Sequence, residues 1–470
     1  MLDVVSDANG APGRRRIAVV GAGVSGLSAA WLLNKRHDVA LYEADGRLGG
    51  HANTVSVRAA SGREIPVDAG FIVFNKPNYP NFTALAGHIG LAIDETCMSF
   101  GASMDDGGCE YSGQSIPSLF ARPASVFDPG HWAMLRDLLR FNARANAALL
   151  DGLPEGQTIG EFVRKNNLSE AFVERFLTPF AAAIWSARAD SVLDYAASAF
   201  LRFFDNHGLL QVLNMPIWNT VAGGSKNYVE KLAADLCNSP RVKAPIQAVR
   251  RTDAGVEAIE ASGERDVFDD VVIATHSDQA LAMIEAPSEA ERELLGAMRY
   301  QPNRAIVHTD PALMPRRRRA WSSWNYLGGR DGVAVSYWMN RLQNLGDDAP
   351  DVFVTLNPSR PIRDDAIVAS FDYAHPMFDV AAERAQRRLW ELQGANRLWF
   401  AGAYFGQGFH EDGLQAGLAV AEALGGVRRP WATGEWDEAL ESARIYRGPD
   451  PALRPAVRSG ARIGAATASL

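Results

Sequence analysis

The chain has 470 residues, 47% of them apolar and 22% charged, with a net charge of −8. That length exceeds what one hydrophobic core usually holds, so two domains are expected, and the composition is that of a folded globular protein. The acidic balance argues against nucleic-acid binding, and three cysteines without CxxC or metal-ligand spacing point to a reducing compartment and no metal site.

Residues 1–16 hold no apolar run of the kind a secretory signal needs, and no stretch of about eighteen apolar residues occurs anywhere. The expected location is cytoplasmic, with attachment to the inner face of the membrane left open. The apolar run 17–20 reads as a buried strand. Gly21-x-Gly23-x-x-Gly26 follows, then Leu27, Ala30, Trp31 and Leu33 recur at helical spacing. Residues 39–42 form the next predicted strand, and Glu43 ends it. Strand, glycines, helix, strand and acid in that order describe a dinucleotide-binding unit. Gly21 permits the tight turn, Gly23 lets the backbone approach a pyrophosphate, and Gly26 lets helix and strand pack closely. The helix N-terminus offers its N–H groups and positive dipole end to the phosphates. Glu43 is placed to accept both hydroxyls of a ribose, which disfavours a 2′-phosphate there. Arg47-x-Gly49-Gly50-His51 adds a second glycine loop.

After Val67-Asp68-Ala69-Gly70-Phe71 the pattern changes. Residues 127–213 are mostly helical in period, with amphipathic runs at 131–150 and 159–176. They carry Phe162, Phe172, Phe176, Phe180, Trp185, Phe200, Phe203, Phe204, Leu209 and Leu210. Such a load serves first as a helical core, and some of it as the lining of a long apolar pocket. Pro216 interrupts, and Ala222-Gly223-Gly224-Ser225 opens a predicted helix over 226–236. Strands are predicted at 242–249, 256–259 and 268–274, with a mixed strand region at 305–356. His276 falls in the loop after the third of these strands, and His308 has the pattern of a hydrogen-bonded core histidine. The four arginines at 316–319, followed by Trp321, Trp324 and Tyr326, read equally as a solvated turn or as a contact with anionic lipid headgroups. Residues 397–402 form a last buried strand. The helix predicted over 413–424 points its N-terminus at Gly402 and favours negative charge there. Residues 429–470 lack periodicity and read as a loosely attached tail.

A sheet begun at the N-terminus and finished by the last strand implies an α/β architecture with a discontinuous, Rossmann-like domain. Its pieces are 15–75, 220–299 and 390–428. The inserted substrate domain, largely helical with a mixed sheet, takes 76–219 and 300–389.

The glycine turn, Arg47-x-Gly49-Gly50, Gly223-Gly224 and the block AGAYFGQGFHEDGLQAGLAVAEAL from Ala401 together resemble the flavin-containing amine oxidase superfamily. Pro245-Ile246 resembles the strand that touches the adenosine end of the cofactor there. The resemblance implies FAD. Its cofactor-binding candidates are Gly21, Gly23, Val24, Ser25, Gly26, Glu43, Ala44, Arg47, Gly49, Gly50, His51, Gly70, Ile246, Gly402, Ala403, Gly413, Leu414 and Ala416. The superfamily usually has arginine where this chain has His51, and an aromatic hydroxyl where it has Phe409. No cysteine follows Val242, so the FAD is expected to be non-covalent.

The segments GGSKNY (223–228), MPRRRRAWSSWNY (314–326), SYWMNRLQ (336–343), YAHPMFD (373–379) and GFHEDGLQAG (408–417) are similar to a narrower bacterial group. Its members are FAD proteins found beside cyclopropane-fatty-acid-synthase-type methyltransferases. That similarity implies desaturation of a methyl-branched lipid acyl chain, as on the route to furan fatty acids, with a methyltransferase as partner. His410, with His375 second, is the candidate catalytic base that takes a proton while hydride leaves for the flavin. Two rival readings stay open: an oxidase of small amines, and an FAD-binding partner of a methyltransferase without turnover of its own. The oligomeric state is not legible.

Overall fold

The computed structural model describes residues 13–185, 192–206, 208–211, 216–329, 332–425 and 427–431. At its centre is a four-stranded parallel sheet. β1 (Arg16–Val20) lies between β2 (Asp38–Tyr42) and the strand Asp270–Ile273, and Leu398–Phe400 adds the outer edge. Ile17 sits opposite Val39 on one side and Asp270 on the other, and Val271 sits opposite Leu398. β1 is buried from Ile17 to Val20, as a parallel strand covered on both faces must be. The sheet is complete only when the chain returns with its last strand.

α1 (Val24–Leu33) is buried at all ten positions, so it belongs to the core and shows no polar face. It packs against the C-terminal helix His410–Gly425. The two backbones approach because Gly417 carries no side chain: a Cβ there would lie 2.1 Å from the Ser25 carbonyl oxygen.

A second, seven-stranded sheet runs in the order Ile367–Met377, Arg299–His308, Phe353–Leu356, Gly332–Trp338, Trp324–Gly329, Phe100–Met104, Cys109–Ser112. Only the pair Trp324–Gly329 and Phe100–Met104 is parallel. The helical segment lies against this sheet. Its long helix Pro129–Asp151 is capped by Asp128, whose carboxylate accepts from the N–H groups of Gly130 and His131. Phe141, Phe162, Phe172, Phe200 and Phe204 fill its core.

Several predicted boundaries move, four of them with a clear physical reason. The helix expected over 159–176 is broken into Ile159–Lys165, Glu170–Phe172 and the wide turn Val173–Leu177, with Asn167 at φ 49° in the first break. Apolar residues on both sides of the break face one core, so the period runs on through it. The strand expected at 242–249 becomes Ile246–Thr252, because 241–244 instead bond to the backbone at the end of β2. The last helix starts at His410, ahead of the predicted Gly413, so His410, Glu411 and Asp412 form its first turn. The tail expected from 429 is anchored at its start: Arg429 pairs with Glu422, and Trp431 stacks on Trp31 at 6.0 Å. Residues 432–470 lie outside the described residues. Among the described residues no helix is long and apolar enough to cross a membrane.

Candidate active site

A cavity of about 860 Å³ opens at the ends of β1 and β2 and extends to the helical segment and the seven-stranded sheet. Its floor is the glycine turn. Gly21 has φ +98°, a conformation side chains avoid, and donates its N–H to the Tyr42 carbonyl at 2.8 Å. A Cβ at Gly23 would meet nothing within 4 Å, so the backbone there stands open to the cavity. Gly26 lies against the Gly21 carbonyl, where a Cβ would come within 1.8 Å. The second loop locks onto the first: Gly49 donates to the Ala22 carbonyl at 2.8 Å, and Gly23 and Gly49 form a bridge. Glu43 is held by two backbone donors, Ala22 N–H on Oε2 and Asp45 N–H on Oε1, both at 2.8 Å. Each carboxylate oxygen keeps a further lone pair for a ribose hydroxyl.

The predicted cofactor residues divide in two groups. Gly21, Gly23, Val24, Ser25, Glu43, Ala44, Gly49, Gly50, His51, Gly70, Ile246, Gly402 and Ala403 line the cavity. Gly26, Arg47, Gly413, Leu414 and Ala416 do not line it. Arg47 donates to the Ala52 carbonyl at 3.5 Å, Gly413 spaces the last helix from Val24 and Ser25, and Leu414 and Ala416 are core side chains.

Both histidines proposed for proton transfer line the cavity, with His51 and His276. The His410 ring stacks on Phe71 at 3.8 Å, and its Nε2 lies 2.7 Å from the Tyr228 hydroxyl. Burial lowers its pKa to about 3, so the imidazole is neutral at pH 7. His375 is pushed down to about 4 by burial and by His276. Its tautomer follows from a chain of amides. Asn357 donates to Asn303 Oδ1 at 2.7 Å, so Asn303 Nδ2 donates to His375 Nδ1 at 3.1 Å. Nδ1 is thus the acceptor and Nε2 carries the proton, which makes His375, the second of the two candidate bases, a donor at rest. His51 stacks on Tyr373 at 4.7 Å and lies 5.3 Å from His375. Burial and the neighbouring histidines hold it well below the usual histidine range, and its buried Nε2 has no partner among the described residues. Glu411 faces away from the cavity and caps another helix, accepting from the N–H groups of Asn81 at 2.8 Å and Phe82 at 2.9 Å.

Tyr373, Tyr228 and Phe71 were not singled out from sequence. Only Tyr373 left a signal: it stands two residues from His375 on one strand, and so on the same face.

The far wall is apolar. Phe100, Phe180, Ile184, Phe203, Leu209, Trp218, Trp324 and Phe409 line it, and Phe203 stacks on Phe409 at 4.7 Å. The other aromatic residues of the helical run fill its core, and the side chain of Trp185 lies outside the described residues. The only carboxylates among the described lining residues are Glu43 and Asp45, at the ribose end. The basic-aromatic run is largely used internally, with Arg319 left exposed. Arg317 pairs with buried Glu110 at 2.6 Å and Arg318 with Asp351 at 3.0 Å, Trp321 and Tyr326 are buried, and Trp324 faces the cavity.

Two interlocked glycine loops, a helix N-terminus, a ribose-facing acid and an unpartnered histidine nitrogen all fit an adenine dinucleotide. Residues 24–344 match the family model for flavin containing amine oxidoreductase. The chain belongs to that family. It is an FAD-dependent oxidoreductase with a mixed α/β fold. Carotenoid phi-ring synthase of Streptomyces griseus is 24% identical over 318 residues, which are 64% of this chain and 59% of the synthase. The chain therefore spans less than two thirds of that curated relative's length. Two solved structures share the fold. A conjugated-linoleic-acid-producing fatty acid isomerase from P. acnes superposes with a TM-score of 0.61 at 17% identity, covering 86% of this chain and 97% of that one. A putrescine oxidase bound to putrescine gives 0.63 at 16% identity, covering 87% and 99%.

Proposed function

We propose that this oxidoreductase desaturates a lipid acyl chain, of the methyl-branched fatty acyl class carried by membrane phospholipid. The observation that carries the reading is the far wall: eight large apolar side chains, and no carboxylate among the described residues there to pair with an ammonium group. An acyl chain gains about 0.8 kcal/mol for each methylene it buries. A protonated amine entering the same space loses its hydration and finds no counter-ion. The shared fold of a fatty acid isomerase is in keeping with this, although a putrescine oxidase has the same fold.

Bound FAD supplies the hydride acceptor for such a reaction. The chain supplies position and proton handling. Phe203 and Phe409 present a flat apolar surface to the substrate, and Phe71 and Tyr228 hold His410 in one orientation. His410 is the proposed proton acceptor, since it is neutral at rest. Its burial makes the imidazolium costly, so proton uptake must coincide with negative charge developing nearby. His375, anchored by Asn303, is placed to donate from Nε2 to the substrate or cofactor. The proposed partner is a methyltransferase that installs the branch.

The test is anaerobic mixing of the purified flavoprotein with branched-acyl phospholipid and, separately, with putrescine or cyclohexylamine. Bleaching by the lipid, with loss of two hydrogens from the acyl chain, is expected. Rapid bleaching by an amine alone would overturn the substrate class. Bleaching by neither would favour a partner without turnover of its own.

A further inference from the structure

The outward face of the helix Pro129–Asp151 carries side chains that water alone does not call for. Its inward face buries Met134 and Phe141. On the outward face Trp132 is 51% exposed and Leu139 59%, and Phe127, in the turn entering the helix, is 87% exposed. Trp132 and that turn form one surface. The indole N–H donates to the Val126 carbonyl at 2.9 Å, and the ring lies 5.4 Å from Phe120. Single exposed apolar residues are ordinary, whereas contiguous exposed apolar groups mark interaction surfaces.

Its rim is basic. Residues 114–151 hold four arginines against three aspartates, of which Asp151 lies at the far end of the helix, in a chain of net charge −8. Asp128 is paired with Arg175, and buried Asp137 is shared by Arg136 and Arg140. Arg122 and Arg144 have no carboxylate partner among the described residues. The turn Arg318–Ala320 packs against the short helix Ile116–Leu119, which brings exposed Arg319 to the same side.

We propose that this face docks on a membrane surface containing anionic phospholipid, with Phe127 and Trp132 in the interfacial layer and Arg122, Arg144 and Arg319 over the headgroups. Exposed aromatics with cations on the same helical segment match that layer. Ring contacts also continue inward from the patch: Phe120 to His131 at 5.2 Å, His131 to Tyr111 at 6.1 Å, and Tyr111 to Phe100 at 6.5 Å. Phe100 lines the cavity, so the docking face and the acyl site share one aromatic cluster. The inference rests on the acyl-lipid reading for its purpose, but binding is measured without turnover.

The test is sedimentation of the holoprotein with vesicles of phosphatidylcholine alone and of phosphatidylcholine with phosphatidylglycerol. The wild type is expected to sediment with the anionic vesicles and to be released by salt. Phe127→Ser with Trp132→Ser, and separately Arg122→Gln with Arg144→Gln and Arg319→Gln, are each expected to lower partition at least ~10-fold. Flavin content, circular dichroism and turnover of detergent-dispersed acyl lipid should not change in either variant. Partition equal in wild type and variants would overturn the proposal. So would self-association lost in the first variant with no vesicle binding by the wild type, which would assign the face to a second copy of the chain. Loss of vesicle binding in the variants, with no acyl turnover by any form, keeps the docking face and removes the acyl-lipid function.

Discussion

Glu43 and His308 show how single residues here are held for different ends. The Glu43 carboxylate is fixed by the N–H groups of Ala22 and Asp45 while it still faces the cavity. A hydrogen bond to a charged group contributes about 1.5–3 kcal/mol. Glu43→Gln should therefore weaken FAD binding by roughly 10- to 100-fold with the fold intact, as measured by titrating the apoprotein with FAD. An unchanged dissociation constant would confine the carboxylate to organising its own loop. His308 is fully buried, with Nε2 2.7 Å from Thr355 Oγ1, and burial lowers its pKa to about 4. Its folded pKa is below its unfolded one, so its stability contribution is complete above pH 6.5 and fades as pH falls from 6.5 towards 4. His308→Gln should flatten the pH dependence of unfolding, reducing the loss between pH 6.5 and 5 by up to about 2 kcal/mol relative to wild type. Buried Asp68, raised to about 6, acts in the opposite sense, losing stability as pH rises. Only the difference between the two proteins isolates the histidine.

The contact between α1 and the C-terminal helix decides where the site is. α1 presents its N-terminus to the cavity, and the last helix brings His410 and Phe409 to the same space. Gly417 sets their spacing. Gly417→Val would force atoms into the Ser25 backbone, at a cost of about 1–3 kcal/mol or more. The expected outcome is a lower unfolding midpoint in denaturant together with weaker FAD retention, because Ser25 itself lines the cavity. A variant with unchanged unfolding would show that the two helices can separate freely. Helix and strand ends were the least legible feature. The period of 159–176 survives a break, and 242–249 runs apolar through a segment that only partly pairs as a strand.

For the molecule as a whole, the placement of the cysteines bears on how the cofactor is held. Cys97 and Cys237 are exposed, Cys109 is buried, and none lines the cavity. Acid precipitation should release a yellow, FAD-sized cofactor to the supernatant. Colour remaining with the precipitated chain would show a covalent bond. The same view explains the fate of the arginine run at 316–319. Glu110 and Asp351, far away in sequence, accept two of these arginines, while Arg319 stays exposed. The exposed aromatic face formed elsewhere, at Phe127 and Trp132.

The sequence by itself determined the nucleotide end of this protein. The turn at Gly21, the strand-ending Glu43 and the loop at Gly49 act through backbone geometry and through neighbours within about thirty residues, and such constraints are written locally. The order of elements also showed that the sheet is finished by the last strand. Only the tertiary structure decided the substrate end. His375 became a donor because Asn303, itself oriented by Asn357, reaches it from the neighbouring strand, and His410 became a weak base because Phe71 and Tyr228 enclose it. The apolar wall joins residues from positions 100 to 409, and no local period encodes which aromatic side chains fill a core and which face an opening. Proton affinity and pocket shape arise from burial, and burial is a property of the assembled fold.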